Sequence, residues 1–142
     1  MSDSRVREGS DAVSGPSEAY VTLCQRFARW LTSDRRAEPG DWVVARGALP
    51  QAARVVTEPV VVGNAEVVVP RLERLLTDLS RECAAFVLDY SSGEYACVAF
   101  DEQGRTLANV VAGDPAAALA QALVFIRAER AAQTTEEKGE KH

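Results

Sequence analysis

The stretch AAFVLDYSSGEYACVAFDEQGRTLANVV, residues 84–111, decides the fold. Three runs rich in β-branched and aromatic residues, 84–90, 94–100 and 105–111, are separated by Ser91-Ser92-Gly93 and by Asp101-Glu102-Gln103-Gly104. Serine, glycine and aspartate supply turn conformations, and turns this short join only antiparallel neighbours. The expectation is a three-strand meander.

Working towards the C-terminus, Gly113-Asp114-Pro115 follows the last strand. Aspartate is a good helix N-cap, and proline suits the first helical position because its missing N–H would have no partner there. The spacing predicts a helix from Pro115 to about residue 132, with Leu119, Leu123 and Ile126 inward. Working back, Leu72, Leu75, Leu76, Leu79 and Cys83 form one stripe, which predicts an amphipathic helix over 70–82 with Pro70 in its first turn. Residues 55–62 and 65–69 are rich in valine, and Gly63-Asn64 between them reads as a two-residue hairpin turn. Pro59 places the first of these arms at a sheet edge. Residues 41–46, with Trp42, Val43 and Val44, read as a short strand. Ser17 is an N-cap candidate for a helix over 18–32, whose apolar face is Tyr20, Leu23, Cys24, Phe27 and Leu31.

The order is helix, strand, hairpin, helix, meander, helix. It implies an α+β fold: a mixed or antiparallel sheet with a C-terminal three-strand meander, covered by three helices as a layered sandwich. Residues 16–132 form the single domain. Residues 1–15, rich in Ser, Gly, Asp and Arg, and the charged residues 133–142 are expected to be disordered tails.

The chain has 142 residues, 46% of them hydrophobic, enough for one core without covalent staples. No apolar run is long enough to span a bilayer, and residues 1–16 lack the apolar centre of a secretory leader. Cys24, Cys83 and Cys97 are odd in number and far apart, which reads as reduced thiols and a cytoplasmic location. The net charge of −5 repels nucleic-acid phosphate, and the arginines at 26, 29, 35 and 36 are interrupted by Asp34, Glu38 and Asp41. Another protein, with basic character, is the natural complement.

Motifs for chemistry are sparse. The sole histidine is His142, so zinc sites and histidine-assisted nucleophiles have no ligand or base within the domain. Ser91 and Ser92 stand beside Asp89, but the first lysine is Lys138, and a hairpin turn explains the serines. Glu94, Asp101 and Glu102 flank the middle strand and are carboxylates of the kind that serve acid–base or cation chemistry, at a spacing that matches no cation loop. Asp114 occupies the helix start where a phosphate would sit. Neither a metal nor a cofactor is therefore expected. Trp30, Trp42, Tyr90 and Tyr95 are the residue types that anchor partners, and they are the candidate partner-binding residues. The alanines at 116, 117 and 120 would allow close helix approach in a homodimer.

The segment 93–130, GEYACVAFDEQGRTLANVVAGDPAAALAQALVFIRAER, resembles two families. One is the phage-type proteins with an ABA sandwich domain; the other is the HicB-like antitoxin module of toxin–antitoxin pairs. Both share the order of strand, turn, strand, cap and Ala-Leu-rich helix. The resemblance implies mobile-element origin, and in the second case neutralisation of a small basic nuclease. The reading of the whole is a non-catalytic accessory protein acting through a protein interaction surface. Its alternatives are the antitoxin module and a small enzyme or ligand-binding domain that uses the meander carboxylates.

Overall fold

The computed structural model describes residues 15–140. Residues 1–14 and 141–142, on which expectations of disorder fell, lie outside the described residues.

Ser17 caps the first helix, α1 (Glu18–Arg26), by accepting the Tyr20 N–H at 3.1 Å. Phe27 leaves helical geometry at φ −118°, so the expected single helix over 18–32 is broken into α1 and a short α2 (Ala28–Leu31). Strand β1 (Arg36–Ala37) follows, and then β2 (Trp42–Ala45), a single turn of 3₁₀ helix (Pro50–Ala52), β3 (Arg54–Val55), β4 (Val60–Val61) and β5 (Glu66–Val69). Helix α3 is Leu72–Glu82. The meander is β6 (Ala85–Ser91), β7 (Glu94–Phe100) and β8 (Thr106–Ala112), and α4 (Pro115–Glu140) closes the chain.

The structure is α+β with antiparallel sheets, and the meander has the order β6-β7-β8. Ser92 and Gly93 form its first loop with φ of 52° and 83°, the twin left-handed pair that matches strand twist. A bulge at Ala99/Phe100 skips Leu107 and turns it, together with Ala108, toward the core.

The hairpin expected between 55–62 and 65–69 does not form. Residues 54–62 run instead beside 35–43: Arg36 faces Val61, Ala37 faces Val60, and Trp42 faces Val55. β5 pairs with the other edge of β2, from Trp42↔Val69 to Ala45↔Glu66. Two prolines explain the choice. Pro39 and Pro59 lack ladder donors, and they fall in the gap between the β1–β4 and β2–β3 pairings. Neither Gly63 nor Asn64 takes the positive φ that a tight hairpin would need. The rearrangement gives the small sheet two buried faces. Val44, Val67 and Val69 join the main core, while Val43 and Val68 meet Ala37, Val56 and Val62 behind it.

Helix α4 is the centre of the molecule. The meander lies on one side of it, and α1, α2 and α3 lie on the other. From Ala118 to Ala120, and again at Ala122 and Leu123, its side chains are wholly buried. A helix covered on all sides loses its amphipathic stripe, and small residues let its neighbours approach. The alanines at 117 and 120 are therefore spent inside the chain and do not offer a free face for a second copy. The helix runs on past the expected end near residue 132 because no breaker occurs before Gly139, and Thr134 Oγ1 donates to the Arg130 carbonyl at 2.9 Å.

Candidate interaction surface

Strand pleating sorts the meander into two faces. Phe86, Leu88, Tyr95, Val110 and Ala112 point to the core. The opposite face carries the rows Ala85–Phe100, Val87–Val98–Asn109 and Asp89–Ala96–Val111. Its apolar residues belong to neither buried cluster, and Val87 and Val111 are 53% and 52% exposed. Three seven-residue strands present a face of roughly 300 Å² in outline, and Val87, Ala96, Val98, Phe100 and Val111 form its apolar part. Asp89 and Glu94 stand exposed at the turn end of the sheet, without an ion-pair partner among the described residues. The open face is thus apolar with an acidic margin.

A second apolar feature lies at the edge of β8. Leu23, Phe27, Val110, Val124 and Phe125 line a groove of about 450 Å³, with Phe125 47% exposed.

A polar cleft of about 700 Å³ separates α2 from α3 and α4. Its floor is built around Asp41, which is completely buried. The carboxylate accepts the backbone N–H groups of Glu38 at 2.8 Å and Arg71 at 2.9 Å, and pairs with the guanidinium groups of Arg71 and Arg74. Asp41 thereby ties the start of β2 to the first turn of α3, whose own N-cap residue, Arg71, offers no side-chain acceptor. Gly40 precedes it at φ +96°, and a Cβ there would meet the Arg71 Cδ at 2.9 Å. On the wall, Arg127 reaches Glu82 at 2.9 Å and the Trp30 carbonyl at 2.6 Å, and Arg130 also pairs with Glu82.

The four candidate aromatics do not form one site. Trp30 is half-buried on the cleft wall, with the Arg29 guanidinium stacked 4.6 Å from its ring. Trp42 is half-buried against the main core, facing a hollow beside the 3₁₀ turn. Only Tyr90 and Tyr95 meet, with ring centroids 4.9 Å apart, and Tyr90 is 61% exposed. The valines of the open face were absent from the candidates. Their signal was present: 84–88 and 95–100 are apolar at nearly every position, a pattern that fits a strand apolar on both faces.

The meander carboxylates are not gathered either. Glu94 opens β7 and Asp101 follows its other end, about 23 Å away. Asp101 accepts the Arg105 N–H at 2.9 Å, which, with the Gln103 N–H and the Arg105 guanidinium, holds its carboxyl below the usual range, the reverse of an acid catalyst. Two of the three thiols, Cys24 and Cys97, are buried, and Cys83 is half-buried. Burial pushes Cys24 up to about 12 and Cys97 to about 11. Among the described residues no group of three or more His, Cys, Asp or Glu is placed to hold a metal ion, and no helix is long and apolar enough to cross a membrane.

No known family model, curated protein or solved structure matches the chain. The interaction surface therefore rests on its geometry alone.

Proposed function

We propose that this chain is a non-catalytic accessory protein that docks a basic protein partner on the open face of its meander. The observation that carries the reading is the exposure of Val87 and Val111, with half-buried Val98, Ala96 and Phe100 beside them on a face outside both buried clusters, while Phe86, Leu88 and Val110 of the opposite face pack against the core. Burying such a face is the main source of association energy, because apolar surface leaves water. The partner's sign follows from Asp89 and Glu94 at the margin and from the net charge of −5. The mobile-element kinship suggested by residues 93–130 fits the same role, and an antitoxin is its special case, with a small basic nuclease as occupant. The three free thiols agree with a reducing, cytoplasmic setting. The acidic groups of the cleft are tied up in ion pairs, and those of the meander are dispersed, which speaks for binding over catalysis.

The test is recovery of the tagged full-length chain from its own host, as wild type, as Val87→Asp/Val111→Asp, and as Phe125→Asp. Both replaced valines are solvent-exposed, so the fold is expected to tolerate the change. The expected result is one stoichiometric basic protein with the wild type and with Phe125→Asp, and its loss from the double variant. Recovery of the wild type alone, or retention of the partner by the double variant, would contradict the proposal.

A further inference from the structure

The cleft between α2, α3 and α4 has a feature that protein docking on the meander does not use. Its floor and wall arginines are committed. Arg71 and Arg74 are held by Asp41, and Arg127 by Glu82. Arg29 and Arg81 line the same cleft, are exposed, and have no carboxylate partner among the described residues.

We infer that this cleft binds a small multiply charged anion, carrying phosphate or carboxylate groups, between Arg29 and Arg81. Three observations support the site. The volume, about 700 Å³, is in the range of small-molecule pockets. Arg29 is stacked on Trp30, which fixes the guanidinium plane while its N–H groups remain at the edge, available for a bidentate acceptor. The floor is rigid, since the Asp41 carboxylate is saturated by donors from Glu38 in the turn before β2 and from Arg71 and Arg74 at the start of α3, so the rim cations sit on a frame that need not reorganise when a ligand enters. Asp34, Glu38, Asp78 and Glu82 also line the cleft, but each is ion-paired with Arg74, Arg36, Arg127 or Arg130, so the two uncommitted guanidinium groups leave the concavity locally positive in a chain that is acidic overall. Arginine in this setting selects planar or tetrahedral oxyanions over halide because its forked donors match two oxygens at once.

The site is separate from the meander face, so it stands or falls independently of the docking proposal. Calorimetric titration of the full-length chain at low ionic strength, with inorganic pyrophosphate in one arm and citrate in the other, decides it. The expected result is one-site binding in at least one arm, weakened about tenfold or more in Arg29→Gln/Arg81→Gln and unchanged in Arg105→Gln, a remote exposed arginine. Binding in one arm alone identifies phosphate or carboxylate as the ligand chemistry. Silence in both arms, equal affinity in the double variant, or an equal loss in Arg105→Gln would overturn the inference.

Discussion

Replacing Asp41 with Asn keeps the shape of the side chain and removes the charge that Arg71 and Arg74 share. Breaking a buried ion pair from one side leaves the other charges uncompensated, which typically costs about 3–5 kcal/mol. Both arginines retain some solvent, so the lower end of that range is expected. Thermal unfolding of Asp41→Asn should show a fall in Tm of at least about 10 °C; an unchanged Tm would mean that the cluster is not part of the frame. The cysteines give a second test at this scale. Cys24 and Cys97 are fully buried, with thiols pushed up to about 12 and about 11, whereas Cys83 is only half-buried. The thiolate is the reactive form, so a thiol reagent near neutral pH should label Cys83 in the native chain and all three only after denaturation. Fast native labelling of Cys24 would contradict the packing described for α1.

At the scale of elements, the caps and the meander were legible because their signals are local. Ser17 and Asp114 cap the helices that follow them, and the two caps also meet, Ser17 Oγ donating to Asp114 Oδ2 at 2.8 Å. Ser92-Gly93 turns where the sequence says it should. The valine-rich segment 54–69 departs from the expected hairpin because its pairing is settled by distant groups. Gly63-Asn64 has hairpin chemistry, but residues 35–43 compete for the same strand, and the two prolines fix where that competitor can pair. The alanines of α4 were legible as a close-approach surface, while their partner, the chain's own α3 and α1, was not. Ala120 is wholly enclosed, so Ala120→Leu should destabilise by about 1–3 kcal/mol through overpacking. Denaturant titration checks this, and a variant as stable as wild type, or newly dimeric, would mean that the alanine face is free after all.

For the whole molecule, the arrangement is a central helix with a covered sheet behind it and a sheet open to solvent in front. The candidate site could be read only in part. Aromatic anchors are recognisable by type, but which face of a strand is left uncovered depends on where the helices settle. Val87 and Val111 look like core residues until the third dimension places them outside. The arginine cleft was beyond reach for the same reason: Arg29 and Arg81 are 52 positions apart and come to line one cleft only through the packing of the helices. The function proposed for this chain turns on docking at the outer meander face. Hydroxyl-radical footprinting of the full-length chain, free and in the complex recovered from its host, tests it most directly. Protection is expected to concentrate at Val87, Val98, Phe100 and Val111, with Phe125 and Trp30 unchanged. Protection at the Phe125 groove or the arginine cleft, with the meander valines still oxidised as in the free chain, would contradict it.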